Sequence, residues 1–201
     1  MIFYGASGHA KVAIDAWQAS GGNVLAIIDD NPSINELMGL SVSSSKEILG
    51  SSKMPLILSV GSNTIRKKLA SQLNHLFGNI VHPSAIVSKH ARIGVGTVLF
   101  AGAIINADAT IGKHCIVNTG AKIDHDCTIG DFVHIAPGAT LCGGVQVGEG
   151  VLIGTGASVI PLKKVGAWSI VGAGAVVVED VPPYSVVVGN PARIIRTLAH
   201  G

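Results

Sequence analysis

A six-residue repeat in the second half of the chain constrains the fold more than any other feature. Aliphatic residues recur at every sixth position from Val81 to Val177, without insertion or slip. Four residues after each one, from Ala85 to Ala175, the side chain is small or β-branched, with the exception of Lys163. One large and one small inward side chain per hexad predict a parallel β-helix, in which short strands stack around a narrow interior.

A glycine with three times that period predicts the number of strands in each coil. It follows an aliphatic residue every 18 positions, at Gly94, Gly112, Gly130, Gly148 and Gly166. Three hexads therefore form one coil, and the cross-section is triangular. We interpret these glycines as corner residues whose backbone angles disfavour a side chain.

The sequence pattern over residues 1–80 predicts a separate domain. The β-helix and a C-terminal tail are expected over residues 81–201. Apolar runs at Ile2–Tyr4, Val24–Ile28 and Leu56–Val60 indicate strands. A helix is expected over Ala10–Ala19, and a second helix, capped by Asn63, is expected to extend to about Leu76. The apolar face predicted for the first helix consists of Val12, Ala13, Ala16 and Trp17. Strands alternating with helices are typical of a small parallel, Rossmann-like α/β sheet.

The ligand of such a sheet is expected beyond the carboxyl ends of its strands. The polar and small residues that collect there are Ser7, Gly8, His9, Asp29, Asp30 and Gly61. The turn from Gly5 to His9 resembles a phosphate-binding loop without its third glycine, so a plain strand-to-helix turn is the alternative. Asp29 follows at about the 20-residue distance where such folds place a carboxylate on a nucleotide, which favours a nucleotide site.

Within the repeat, His125 and Asp126 stand out at an outward position. An imidazole beside a carboxylate is typical of a general base, although a solvated surface histidine fits the pattern equally well. Gly143 lies one coil above His125, and we expect it to leave room for a reacting group and to offer its N–H to an oxyanion. His134 is half a coil away on another face, so it and His125 reach one site only if a second subunit contributes.

Composition excludes several functions. The 14 basic and 12 acidic residues leave a net charge of +2, too little excess for nucleic-acid binding. The longest apolar run is about 8 residues, against about 20 for a membrane span. No signal-like segment is found at the start, and three cysteines without CxxC spacing fit a reducing compartment, so a cytoplasmic protein is expected.

Cys115 and Cys127 occupy inward slots and His114 lies on a different face from His125 and His134, so no metal site is expected.

Several motifs together resemble one family over the whole chain: the unbroken hexads, Tyr4–Lys11, Asp29-Asp30, Gly61–Arg66, Asp124–Cys127 and Val188–Arg193. The sequence is similar to hexapeptide-repeat acyltransferases of the sialic-acid O-acetyltransferase type, and most closely to the UDP-4-amino-sugar N-acetyltransferases of bacillosamine biosynthesis. This resemblance implies a left-handed β-helix, a homotrimer, a UDP-sugar bound by the N-terminal domain and acetyl-CoA bound between neighbouring helices.

The resemblance also implies residue roles. His125 would be the base, and Asp126 would raise its basicity. The nucleotide-sugar contacts would come from Ser7, Gly8, His9, Asp29, Asp30 and Gly61. The acetyl-CoA groove would be lined by His134, Gly143, Thr155 and Ala173.

The expected reaction is direct transfer of an acetyl group from acetyl-CoA to the 4-amino group of a UDP-linked amino-dideoxy sugar. O-acetylation of a sugar such as sialic acid is the alternative with the same chemistry. A metal-dependent hexapeptide-repeat enzyme of the carbonic anhydrase kind and a non-catalytic nucleotide-binding scaffold are the alternatives from other classes.

Overall fold

The computed structural model describes residues 1–44, 46–51 and 53–199. An α/β domain comes first in the chain. Its elements are β1 (Ile2–Tyr4), α1 (Gly8–Ala19), β2 (Ala26–Ile28), β3 (Glu36–Leu37), β4 (Leu40–Ser43), α2 (Glu47–Ser51), β5 (Leu56–Leu58) and α3 (Asn63–Gln72). The sheet order is β3-β4-β2-β1-β5, and all neighbours are parallel except the β3–β4 hairpin. The predicted parallel α/β sheet is thereby confirmed.

The sequence did not predict the hairpin or α2, and it placed two helix features wrongly. Helix α1 begins at Gly8, and its buried side chains include Ile14, whereas Val12 of the predicted apolar face is 40% exposed. Helix α3 is capped by Ser62, whose hydroxyl accepts from the N–H of Ile65, so Asn63 is its first residue and not its cap.

A parallel β-helix with three strands per coil follows, as the hexads predict. Its two-residue strands are β6 (Ile80–Val81), β7 (Ile86–Val87), β8 (Arg92–Ile93), β9 (Val98–Leu99), β10 (Ile104–Ile105), β11 (Thr110–Ile111), β12 (Ile116–Val117), β13 (Lys122–Ile123), β14 (Thr128–Ile129), β15 (His134–Ile135), β16 (Thr140–Leu141), β17 (Gln146–Val147), β18 (Leu152–Ile153), β19 (Ser158–Val159), β20 (Lys164–Val165), β21 (Ile170–Val171) and β22 (Val176–Val177). The longer strands β23 (Ser185–Val188) and β24 (Arg193–Thr197) form an antiparallel pair at its end.

The strands form three faces. Face 1 contains β6, β9, β12, β15, β18, β21, β23 and β24; face 2 contains β7, β10, β13, β16, β19 and β22; and face 3 contains β8, β11, β14, β17 and β20. The repeating aliphatic residue is the second residue of each strand from β6 to β22. From Leu99 to Val177 these residues are buried in one continuous core, Val87 and Ile93 pack against it, and Val81 is 43% exposed, against the expected inward position. Strand β6 spans the expected division between residues 80 and 81, since Ile80 already pairs with Val98.

The glycines with the 18-residue period have a different role from the one expected. Their φ angles are not positive, and what requires glycine is the backbone of the next coil. A Cβ on Gly130 would lie 2.7 Å from the nitrogen of Glu149, and one on Gly148 would lie 2.6 Å from that of Ala167. Positive φ occurs once in every hexad from Gly96 to Gly174, at the residue just before the second inward position. At the corner of these glycines, that residue lies two positions after the glycine.

Candidate functional site

The predicted base stands at the corner between faces 2 and 3. His125 and Asp126 follow β13, and the Nδ1 atom of His125 lies 2.7 Å from Oδ2 of Asp126. Both side chains are more than half exposed. The backbone N–H of His125 donates to Oδ1 of Asp124, which also accepts from the side chain of Asn106. These contacts hold the turn and orient the imidazole with Nδ1 towards the carboxylate and Nε2 away from it.

Gly143 lies one coil above His125, as the repeat predicts, but the space over it is not empty. A Cβ on Gly143 would lie 2.6 Å from both Cε1 and Nε2 of His125. The expectation that this glycine leaves room for a reacting group is therefore wrong, because the imidazole itself occupies the space. The N–H of Gly143 makes no hydrogen bond to another described residue.

Charge at this corner favours the imidazolium form. The hydrogen bond to Asp126, followed by the charge of Asp124, raises the pKa of His125 above its usual value. The hydrogen bonds from Asn106 and the His125 N–H lower the pKa of Asp124, so this carboxyl stays ionised beside the imidazole.

The predicted nucleotide loop is fixed by Asp29. Its Oδ2 accepts from the N–H of Ala6 at 2.7 Å and its Oδ1 accepts from that of Asn31 at 2.9 Å. Ser7 and Gly8 are exposed at the start of α1, and a Cβ on Gly8 would meet nothing within 4 Å. Asp29 therefore ties the end of β2 to this loop, and Ser7 and Gly8 are the open part of the edge.

Asp30 is also engaged. One of its oxygens accepts from the hydroxyl of Tyr4 and lies 2.7 Å from the ammonium of Lys46. The hydrogen bonds from Lys46 and Tyr4 lower the pKa of Asp30. Asp30, Lys46 and Tyr4 thus form one hydrogen-bonded group at this edge of the sheet. Of these three residues, only Asp30 was predicted as a site residue.

His9 and Gly61 lie with His134 where the α/β domain packs on face 1. The rings of His9 and His134 have centroids 6.2 Å apart, and Nε2 of His134 lies 3.0 Å from the amide nitrogen of Asn118. Nε2 of His9 is buried and has no hydrogen-bond partner among the residues that the structure describes. Burial lowers the pKa of His9 to about 3 and that of His134 to about 4, so both imidazoles are neutral near pH 7. The structure therefore brings together two residues that the sequence assigned to different ligands.

Arg66 of α3 stabilises this contact between the α/β domain and the β-helix, and no role was predicted for it. Its side chain is 1% exposed, and it donates to the carbonyl oxygens of Val60, Gly61, His114 and Phe132 and to the side chain of Asn63. Its buried charge contributes to the lowered pKa of His9 and His134. The available signal was the Asn63–Arg66 spacing, which places both side chains on one side of a helix.

Asn63 extends the same contact to a third coil. Its amide donates to the carbonyl oxygens of Gly150 and Val151, at 3.0 and 3.1 Å. His114, Phe132 and Gly150 are spaced 18 residues apart at the corner between faces 3 and 1, so α3 covers that corner over three coils. The rings of His114 and Phe132 stack there, 5.3 Å apart.

The remaining predicted residues of the acetyl-CoA groove lie at the third corner, between faces 1 and 2. Thr155 and Ala173 are both exposed, and the carbonyl of Thr155 accepts from the N–H of Gly174. Their spacing of one coil is as expected. Neither residue lies at the corner of His125 and Gly143, so one chain does not bring the four predicted groove residues together.

Cysteines and histidines form no cluster in the described part of the chain. Cys115 and Cys127 are buried in the β-helix core, and burial raises the pKa of Cys115 to about 12. Across residues 1–44, 46–51 and 53–199, no three His, Cys, Asp or Glu side chains are grouped so as to hold a metal ion. Among the helices of these same residues, none has the length and apolar character needed to span a membrane.

The architecture is that of a hexapeptide-repeat transferase with an additional N-terminal domain, and comparisons with known proteins agree. Residues 1–73 match the PglD N-terminal domain family, and residues 126–161 match the bacterial transferase hexapeptide family. The curated UDP-N-acetylbacillosamine N-acetyltransferase of Bacillus subtilis is 55% identical over 46 residues. That match spans only about a fifth of either chain.

Solved structures of sugar N-acetyltransferases match almost the full chain. PerB from Caulobacter crescentus, in complex with CoA and GDP-perosamine, is 40% identical with a TM-score of 0.92 over 97% of this chain and 96% of its own. The acetyltransferase domain of PglB from Neisseria gonorrhoeae, in complex with acetyl coenzyme A, is 37% identical with a TM-score of 0.89 over 96% and 98%. The chain therefore belongs to the sugar N-acetyltransferases that join a PglD-type N-terminal domain to a hexapeptide-repeat β-helix, which confirms the family predicted from the sequence.

Proposed function

We propose that this protein transfers the acetyl group of acetyl-CoA to the 4-amino group of a UDP-linked amino-dideoxy sugar. The observation that carries the proposal is the exposed His125–Asp126 pair, whose ring lies over Gly143, in a chain similar over its length to sugar N-acetyltransferases. The direct test is the release of CoA from acetyl-CoA in the presence of UDP-linked 4-amino sugars, with CMP-sialic acid as the O-acetylation control.

Direct attack accounts for the chemistry without an acyl-enzyme. With Nδ1–H donating to Asp126, Nε2 of His125 carries the free electron pair. The neutral amine attacks the thioester carbonyl while Nε2 takes the proton released as the C–N bond forms. The N–H of Gly143 donates to the oxyanion, and the intermediate collapses when the C–S bond breaks and the thiolate takes the proton from the imidazolium.

A second copy of the chain completes the site in this proposal. The corner of His125 lies opposite face 1 of the triangular section, whereas His9, Gly61 and His134 lie on face 1. A base on one side of the prism cannot reach a sugar held on the other, so we infer that the corner of one copy faces the α/β domain of its neighbour in a homotrimer. Light scattering that gives a monomer would contradict this assembly.

A GDP-linked amino sugar is the second candidate substrate. The similarity to PerB, whose structure holds GDP-perosamine, extends over almost the full chain, whereas the curated UDP-sugar enzyme matches over 46 residues. A panel that pairs UDP- and GDP-linked 4-amino sugars distinguishes the two. A higher kcat/KM with the GDP-linked sugar would show that the substrate carries GDP and not UDP. The proposed acetyl transfer to the 4-amino group would be unaffected by that result.

A further inference from the structure

Leu162 departs from the rest of the β-helix at the corner of the proposed base. It lies one coil beyond Gly144 and two coils beyond Asp126 in the 18-residue repeat. Its φ is +65°, and its side chain is 76% exposed. A leucine in left-handed backbone is unfavourable because its Cβ crowds the following carbonyl oxygen, and this exposed side chain gains little by burial.

At the β-helix corners from Gly96 to Gly174, the other side chains in this conformation have a visible compensation. Eight of the fourteen left-handed corner positions from Gly96 to Gly174 are glycine. Asp108 and Asp126 are short polar residues that tolerate the conformation. His114, Phe132 and Trp168 are aromatic, and they are buried or half-buried at the corner that α3 covers. Leu162 has neither compensation, which points to a role outside the folded chain itself.

The surroundings of Leu162 place it beside the proposed reaction centre. A Cβ on Gly144 would lie 2.7 Å from Cδ2 of Leu162, just as one on Gly143 would lie 2.6 Å from Nε2 of His125. The N–H of Leu162 also donates to the carbonyl of Gly143 at 3.0 Å. The imidazole and the leucine side chain thus cover adjacent glycines of one turn.

The same hexad breaks a second rule of the repeat. Lys163 occupies the inward position that is small or β-branched in every other hexad. A local break in an otherwise regular pattern is expected where function, and not folding, selects the residue. Two breaks at adjacent residues, on the corner of His125, therefore support a functional reading of this turn.

We propose that Leu162 is a specificity residue that packs against the acyl group of the donor thioester and limits it to a short chain. The inference rests on the proposed function, because it takes Gly143 and His125 to face the thioester. A side chain at this point would contact the acyl group on the side away from the imidazole. Removing it opens space for additional methylene groups without removing the base or the Gly143 N–H.

The test compares acetyl-CoA with butyryl-CoA for the wild type, Leu162→Gly and Asp108→Gly. Asp108→Gly is the matched control, since it removes an exposed side chain from the same left-handed position of the same corner. Leu162→Gly is expected to fold, because glycine suits the backbone there, and to raise the butyryl-to-acetyl ratio of kcat/KM at least about tenfold. The control is expected to leave this ratio unchanged.

Calorimetric affinities for the two donors are measured in parallel, so that the outcome does not depend on turnover. A ratio within about twofold of the wild type, in both affinity and kcat/KM, would overturn the proposal. A smaller assembly of Leu162→Gly in light scattering would also overturn it and make Leu162 a subunit contact. A wild type that binds both donors but acetylates no amino sugar contradicts the proposed function alone, and the affinity ratio then still decides the role of Leu162.

Discussion

Two corners of the same β-helix hold their polar groups in opposite ways. At the corner between faces 3 and 1, α3 covers the backbone, and Arg66 with Asn63 satisfies its carbonyl groups over three coils. At the corner between faces 2 and 3, His125 projects to the surface beside Asp126. The repeat builds both corners with the same backbone, so what covers a corner decides whether it is structural or available for chemistry.

The histidines show the same difference. His9, His114 and His134 are packed where the α/β domain meets the β-helix, and burial lowers the pKa of each. His125 is exposed, and the hydrogen bond to Asp126 raises its pKa. A buried neutral imidazole can accept or donate a hydrogen bond near pH 7, whereas an exposed imidazole beside carboxylates is suited to exchange protons.

The largest effect is expected from His125→Ala. Loss of a positioned general base lowers turnover by roughly 10²–10⁴, with little change in KM. The melting temperature should hold, because the side chain is exposed and its removal opens no cavity. Near wild-type turnover of this variant would refute the assignment of His125 as the base.

Arg66→Met should show the reverse pattern, with a loss of stability. The substitution removes the donor of one buried and two partly buried carbonyl groups, and we expect the free energy of unfolding to fall by at least about 3 kcal/mol in denaturant titrations. Lys67→Met, at the next residue of α3, is the control. The half-exposed ion pair of Lys67 with Glu149 is worth less than about 1 kcal/mol. Equal losses in the two variants would contradict a special role for the buried guanidinium.

Gly143→Ala tests whether the imidazole is held over this glycine. The new methyl group would displace the ring of His125, and we expect turnover to fall about tenfold to a hundredfold. The double variant with His125→Ala is the control, since without the imidazole the methyl group has nothing to displace. Fully additive losses in this cycle would show that Gly143 acts independently of His125.

Asp126→Asn should give the smallest change, a shift in the pH profile. The carboxylate raises the pKa of His125, so a neutral amide lets the imidazole lose its proton at lower pH. The acidic limb of the kcat/KM profile is therefore expected to move to lower pH. Asp124→Asn, which removes the weaker contribution, should move it less. An unchanged acidic limb in Asp126→Asn would show that the Asp126 carboxylate does not influence the pKa of His125.

The two domains differ in how much the sequence could predict. A six-residue period repeats the same local choice, so the coil number, the inward residues and the stacking of Gly143 on His125 could all be predicted. The α/β domain has no such period, so its three buried strands were predicted, while the β3–β4 hairpin, whose one buried residue is Leu37, was not. The handedness of the β-helix depends on neither pattern, and the sequence indicated it only through the family resemblance.

The site could be predicted only where local chemistry reveals it. The His125–Asp126 pair is adjacent in sequence, and its contact was expected. Arg66 bonds to carbonyl groups 48 and 66 residues away, which no local pattern indicates. Positive φ was expected at the glycines with the 18-residue period, but it occurs two residues later. Glycine is required at the 18-residue positions because a Cβ there would clash with the backbone of the neighbouring coil.

Complementation between two inactive variants tests the central claim, that an exposed base acts on a sugar held by a neighbouring copy. One variant is His125→Ala. The other is Gly8→Trp, which blocks the nucleotide loop at a position with free space around it. After the two are unfolded together and refolded as an equimolar mixture, a site shared between copies is intact in about a quarter of cases, so the account predicts recovery of about a quarter of wild-type turnover. A mixture no more active than its components would place the whole site within one chain and contradict the account.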